Sequence, residues 1–359
     1  MQDLDKVPGW FFGANAPKGY FTRFDQLFSE APNGKCFLLK GGPGTGKSTM
    51  LKKIASVLME KGLSMEVFYC SADPGSLDAV VTSDGKFVAA DATLPHAAEP
   101  KYPGAYEKTV DLSDCWNEKN LREHKKEIAS LFDSNRRLHE EARRYLSAAA
   151  NLLEEAGRLG AESLFPGKAE NAALKICARE IGKKDKKRGT EKQRFLSAVT
   201  ESGVVFMNRT PEILCERIFA FEDETGAASR VFMNTVRKYA LENGFDVITC
   251  KCPLFPSEKT EHIFIPSLKL GFITSNKRHS ADIKVKRTIH SSRFYDPKKY
   301  SRHKIRIRFA LRLASSLIDE AALCMKEAKA LHDELESFYI KAMDFSLVEK
   351  KIAKILDSI

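Results

Sequence analysis

The run Gly41-Gly42-Pro43-Gly44-Thr45-Gly46-Lys47-Ser48-Thr49 has residue types and spacing suited to holding a chain of phosphates. It fits the pattern G-x-x-x-x-G-K-[ST]. Glycines let the backbone turn successive N–H groups toward one anion. A helix starting at the loop adds the positive end of its dipole. Lys47 is expected to neutralise the β- and γ-phosphates of a nucleoside triphosphate, and the Ser48 hydroxyl to help ligate Mg²⁺. Gly41, Gly42, Pro43, Gly44, Thr45, Gly46, Lys47, Ser48 and Thr49 form the expected nucleotide-binding set, with ATP and Mg²⁺ as cofactors.

Such a loop needs a carboxylate to hold the metal shell and orient a water or acceptor hydroxyl. Phe87-Val88-Ala89-Ala90-Asp91 reads as an apolar strand ending in Asp. In an open parallel sheet, ligands gather outside the carboxyl ends of the strands. Asp91 is therefore the first candidate for the metal-shell and catalytic carboxylate. Asp73, after the strand Met65–Cys70, is the second, and Asp78 is weaker. A capping role for Asp91 and a turn role for Asp73, which precedes Pro74, stay open. Asp73, His96 and Lys101 are candidates to line an acceptor pocket. Cys250-Lys251-Cys252 offers a metal only two thiols, and buried thiols are the plainer reading.

These residues need a frame. Cys36–Lys40 reads as a buried strand entering the loop. Leu51, Ile54, Ala55 and Leu58 line one face of a helix that stops at Gly62. The frame occurs twice. At an offset of 182, Cys36-Phe37-Leu38-Leu39 meets Ile218-Phe219-Ala220-Phe221, and Val67–Cys70 meets Thr249–Cys252. Opposite the loop stands Asp223-Glu224-Thr225-Gly226-Ala227-Ala228-Ser229-Arg230, with Ser229 for Lys47, Arg230 for Ser48 and Ile273 for Asp91. The second copy is expected to have lost the chemistry. Each copy ends in a long amphipathic helical pattern, Lys119–Leu159 and Lys304–Asp344, and the two are expected to pair. Trp10–Ala14 and Phe195–Val199 look like extra strands.

The 359 residues suggest about two domains at roughly 150 residues each. The expected division is a loop-bearing domain at 1–160, a linker with a short helix at 161–193, and the degenerate repeat at 194–359. The fold class is α/β: tandem phosphate-loop units with parallel sheets and long helices. No apolar run is long enough to span a bilayer, the N-terminus lacks an apolar core, and the cysteines are scattered. A cytoplasmic protein with no membrane partner is expected. The net charge is +10, and the segment 277–308 holds twelve basic and two acidic residues, which accounts for all of it. An anionic partner, with nucleic acid as the candidate, is expected there.

The chain resembles a poorly characterised bacterial family of tandem P-loop proteins labelled ATPases or nucleotide kinases. Leu39–Thr49, Asp73–Asp78, Asp91-Ala92-Thr93-Leu94-Pro95-His96 and Pro100-Lys101-Tyr102-Pro103-Gly104-Ala105 carry the resemblance. That family usually keeps a phosphate loop in the second copy, and this chain departs there. The resemblance implies nucleotide binding and leaves the substrate open. The leading expectation is a Mg²⁺-dependent ATPase with one site in the N-terminal half. A kinase passing the γ-phosphate to a small acceptor and a non-hydrolysing ATP switch are the alternatives. Arg230 and the basic stretch are the candidates for a cation acting across the copies.

Overall fold

A computed structural model describes residues 4–26, 34–94, 98–185, 187–279 and 282–359. Among the described residues, sixteen strands are numbered in chain order. The first copy holds β1 (Gly9–Phe11), β2 (Gly13–Ala16), β3 (Gly19–Thr22), β4 (Lys35–Lys40), β5 (Met65–Tyr69), β6 (Leu77–Thr82), β7 (Phe87–Asp91) and β8 (Glu107–Asp111). The second holds β9 (Glu191–Arg194), β10 (Ser197–Thr200), β11 (Gly203–Phe206), β12 (Arg217–Glu222), β13 (Val247–Cys252), β14 (Phe255–Ile265), β15 (Leu270–Ser275) and β16 (Arg287–His290). Among the helices are α1 (Lys47–Glu60), α2 (Glu118–Glu123), α3 (Lys125–Glu162), α4 (Pro166–Glu180), α5 (Arg209–Leu214), α6 (Ala227–Glu242), α7 (Pro297–Ala342) and α8 (Phe345–Leu356).

The protein is α/β, and the duplication is explicit in its topology. One six-stranded sheet runs β1-β5-β6-β7-β4-β8, and the other runs β9-β13-β14-β15-β12-β16 when read from its β9 edge. The pairing senses agree as well: β5–β6 and β6–β7 are antiparallel, as are β13–β14 and β14–β15, and every other pair in the two sheets is parallel. Each copy adds a two-stranded hairpin, β2–β3 and β10–β11. The sheets are thus mixed rather than parallel. Leu77-Asp78-Ala79-Val80-Val81-Thr82 is a buried strand inserted against the sense of its neighbours. Its apolar, β-branched character suits a central strand buried on both faces.

The two sheets pack face to face. Leu38, Phe68, Ala79, Val88 and Ala90 of the first copy share one core with Ile218, Ala220, Cys250, Phe264 and Ile273 of the second. The outer faces are covered by helices. Phe37 and Leu39 meet the buried stripe of α1 and, beyond it, Val348, Ile352 and Ile355 of α8. Phe219 and Phe221 meet α6 and α4 in the same way. Alternate residues of one strand therefore serve two cores, which is why these strands read as unbroken apolar runs. Arg194 of β9 bonds Glu66 of β5 at 3.0 Å across the copies, with 2% and 13% of the two side chains exposed, and its guanidinium lies over Phe68. The Thr210 hydroxyl exchanges two hydrogen bonds with the Gly9 backbone nearby.

The long helices pair antiparallel. Ala142, Leu146 and Ala149 of α3 pack with Ala314, Ile318 and Ala321 of α7, and Ala156 and Leu159 pack with Ile307 and Ala310. Small residues on both stripes let the backbones come close. α7 starts earlier than its apolar periodicity suggests, because Asp296 caps the amides of Lys298 and Lys299 and Pro297 occupies the first turn. The first long pattern is broken at His124 into α2 and α3.

The segment 161–193 is no free linker. Its helix α4 packs on α6 of the second copy, and β9 begins at Glu191 as the edge strand of the second sheet. α8 packs on α1 of the first copy. Each long helix therefore leaves its own copy and delivers the helix that follows it to the other.

Removing one member of a buried ion pair strands the other. Arg194→Met is expected to lower the unfolding free energy by about 3 kcal/mol, measured by urea denaturation. A loss below about 1 kcal/mol would place the pair among weak surface bridges.

Candidate functional site

The first loop lies at the carboxyl ends of β4 and β7, where α1 begins. Gly44 has φ 65° and Gly46 φ 89°, left-handed values that favour glycine. Gly46 caps α1 without a side chain. Among the described residues, no side chain accepts a hydrogen bond from the amides of Thr45, Gly46, Lys47 or Ser48. The Lys47 ammonium turns back onto the carbonyls of Gly41, at 3.0 Å, and Gly42, at 2.8 Å. Asp91 Oδ2 stands 3.7 Å from it, with both side chains largely buried. The Thr93 amide donates to Asp91 Oδ1 at 2.8 Å. The Ser48 hydroxyl oxygen accepts a bond from the Leu77 amide at 3.0 Å.

The structure thus brings Lys47, Ser48 and Asp91 to one strand-end crevice. Asp73 belongs to the adjoining turn, where it accepts bonds from the Gly75 amide and the Ser76 hydroxyl, with Lys329 Nζ 3.9 Å away. That turn is tied to α1 by a bond from Lys52 to the Gly75 carbonyl. Lys101 is exposed, and Asp78 is buried within β6. His96 and Pro95 lie outside the described residues. Cys250 and Cys252 are buried thiols, and burial pushes Cys252 up to about 12.

The second loop is built differently. The buried face of α6 keeps the register of α1, with Phe232, Met233 and Val236 in the places of Met50, Leu51 and Ile54. Ser229 and Arg230 thus stand for Lys47 and Ser48. The helix nonetheless begins at Ala227, half a turn sooner, and the loop is shorter by two residues. Asp223 fills the space. Its Oδ2 accepts from the Ser229 amide at 2.8 Å, and its Oδ1 from the Thr225 amide at 3.2 Å and the Thr225 hydroxyl at 3.1 Å. The Tyr295 hydroxyl donates to Asp223 at 3.3 Å and accepts from the Ala228 amide at 3.3 Å. Burial and Asp223 raise the Tyr295 phenol, which keeps its proton. An internal carboxylate holds the place of an anion. The counterpart of Asp91 is Thr274 rather than Ile273, because Leu39 pairs with Asp91 in the first sheet and Phe221 with Thr274 in the second.

The exchanged helices close over the loops. The end of α7 covers the first loop: Glu336 Oε1 accepts from the Gly44 amide at 3.2 Å. A Cβ at Gly42 would lie 2.8 Å from the Tyr339 ring, and one at Gly44 would lie 2.9 Å from the Glu336 carbonyl. His332, 3.4 Å away, and then the Gly44 amide hold the Glu336 carboxyl below its ordinary range, against its burial. The end of α3 covers the second loop, with Gly157 and Gly160 against Thr225. The two ends are equivalent. Asn117 N bonds Ala342 O as Asp296 N bonds Ser163 O, and Asp344 N bonds Cys115 O as Phe165 N bonds Phe294 O. That register puts Gly157 and Gly160 in the places of Glu336 and Tyr339.

Sequence reasoning missed Glu336 and Tyr339. Nothing local marks them, since they stand almost three hundred residues from the loop they touch. The plug at Asp223 had a local trace, an acid at a strand end before Thr-Gly.

Comparison of the chain with protein-family models, curated proteins and solved structures gave no match.

Asp223→Gly would strand the donors at Thr225, Ser229 and Tyr295. It is expected to cost about 3 kcal/mol in chemical denaturation, with part of the loss recovered by added inorganic phosphate. An unchanged midpoint, or one indifferent to phosphate, would show that Asp223 is not filling an anion cradle.

Proposed function

We propose that the chain is a P-loop ATPase that binds ATP with Mg²⁺ at one site, the first loop, and hydrolyses it under control of the helix that covers it. The observation that supports this most is the contrast between two equivalent loops. One offers uncapped amides, a lysine and a strand-end aspartate, and the other is filled by its own carboxylate.

The residues present suit the nucleotide and its metal. Amides of Gly42 and of the run from Gly44 to Ser48 would hold the phosphates, with Lys47 supplying the counter-charge. One lone pair of the Ser48 oxygen is used by the Leu77 amide, and the other is left for a cation. Asp91 would complete the metal shell and orient the attacking water. The bound metal would offset phosphate charge. The Glu336 carboxylate already lies on a loop amide and competes with an incoming phosphate for it. This favours slow, gated turnover.

Of the twelve cations in 277–308, all but Arg278 are exposed, and Lys286 pairs with Glu180. This supports an anionic partner on that face, with nucleic acid the class to test by filter binding at several salt concentrations.

Calorimetry with MgATP is expected to give one site per chain. Lys47→Ala should weaken binding or turnover about a hundredfold, whereas Ser229→Ala should leave both unchanged. Chelating Mg²⁺ should stop phosphate release. Glu336→Ala should tighten MgATP binding about tenfold by removing a competing charge. Two sites per chain, or equal losses from Lys47→Ala and Ser229→Ala, would refute the one-site reading. Product analysis separates hydrolysis from transfer: phosphate released without an acceptor supports the first, and phosphate on a small molecule the second.

A further inference from the structure

The second copy has lost its phosphate cradle but not its crevice. A cavity of about 530 Å³ lies at the carboxyl ends of its strands, between the loop at Thr225, the hairpin β10–β11, the turn after β13 and the end of α3. This is the size of pockets that hold small organic molecules. Gly157, which stands in the place of Glu336, is part of the cavity's lining. Leu153, Val199, Val204, Leu254, Phe255 and Ile318 supply apolar wall.

Buried charge also lines this cavity. Lys259 bonds Glu261 at 2.8 Å. Burial opposes both charges, but each partner keeps the other ionised: Lys259 holds Glu261 well below the carboxylate range, and Glu261 holds Lys259 above its ordinary value. Arg278, 15% exposed, donates to the Glu224 carbonyl at 2.8 Å, and the half-exposed Glu224 carboxylate lies 3.8 Å off. Two buried cations and one buried anion thus line the cavity, and the charge of Asp223, buried in the loop, acts on both cations. Arg158 and Arg230 stand exposed at the rim.

Glu261, His262 and His279 bring ligand atoms within 4.8 Å of one another, as a metal site would. The hydrogen bonds argue against a metal. His262 Nδ1 accepts the Thr274 amide at 3.2 Å. Asn276 Oδ1 accepts the amides of Arg278 and His279, so Asn276 Nδ2 is the donor to His279 Nδ1 at 3.3 Å. Both rings therefore carry their proton on Nε2, and a metal there would require an imidazolate. Burial lowers both imidazoles, His262 to about 3. Neither Nε2 has a hydrogen-bond partner, and His262 is 1% exposed. Glu261 Oε2 stands 4.0 Å from His262 Nε2, and His262 does not line the cavity. His279 does, and its Nε2–H, with the spare donors of Lys259 and Arg278, is an unfilled demand for an acceptor.

We propose that the second copy binds a small organic oxyanion, a carboxylate or phosphate ester with an apolar body, held by Arg278, Lys259 and the Nε2–H group of His279. The site does not use the phosphate loop, which Asp223 fills, and it stands apart from the ATP reading.

Full-length Lys47→Ala protein tests it, because its first loop is silenced. Phenyl phosphate and benzoate are the probes, read by calorimetry and by long-range ¹H–¹⁵N spectra of the imidazoles. The free spectra should show both rings protonated at Nε2. At least one probe should bind one to one and shift the His279 Nε2 signal, and the probe preferred tells phosphate from carboxylate. Arg278→Gln should weaken that binding at least about tenfold, and Arg278→Lys should recover part of it. Binding of neither probe, a ring protonated at Nδ1, stoichiometric Zn²⁺ binding that moves both rings, or binding indifferent to Arg278→Gln would each overturn the proposal. These readouts need no nucleotide, so their failure is separate from failure of MgATP to bind the unaltered chain.

Discussion

Neither copy can close over its own loop, and the exchange of the two long helices is the constraint from which the rest of the molecule follows. An isolated amphipathic helix of this length gains little stability from propensity alone. Here the alanine-rich stripes of α3 and α7 bury each other along most of their length. Because the pairing is antiparallel, the end of each helix arrives over the opposite loop. The short helix that follows then covers the opposite sheet. Displacing the cover of the first loop therefore pulls on a helix rooted in the second copy. The copies are coupled by the covalent path of the chain as well as by the sheet-to-sheet core.

Within this shared framework, the two loops have parted by a small chemical change. A helix start leaves amide donors that must be met by side chains, water or ligand. The second copy meets them internally, through Asp223, Thr225 and Tyr295. A carboxylate fixed by its own strand is always present at the amides, and its charge repels a phosphate. The first copy leaves its helix start without a side-chain cap, which on the proposed reading keeps a place for a mobile anion. On that reading the arrangement would favour ligand binding over the stability of the unliganded protein. The opposite trade appears at the covering helices. Glu336 and Tyr339 press on the first loop, whereas two glycines lie against Thr225 at the second.

The basic segment shows how far local charge counting goes. Its cations are one run in the sequence, but they do two things in the fold. Most lie along β16, its flanks and the start of α7, facing outward. Arg278 instead turns toward Glu224 and lines the cavity. A buried guanidinium among polar donors and an exposed arginine on a helix differ in desolvation. That difference depends on what packs above them.

The amino-acid sequence by itself determined the α/β class, the phosphate-loop pattern with its flanking strand and helix, the repeat, and the loss of lysine from the second loop. These features rest on residue type, on periodicities within one element, and on self-similarity along the chain. Asp91 was legible because a strand end projects its last residue into the crevice whatever surrounds it. The antiparallel sense of β6 was not legible, since a short apolar run does not state its direction. Nor was the one-residue difference that puts Thr274 opposite Asp91, because register is set by pairing between strands. Only the tertiary structure decided that Glu336 lies on Gly44, that Gly157 lines a cavity, and that the rings of His262 and His279 meet. Each of these joins residues far apart in the chain, and the distance between them is fixed by how the helices cross.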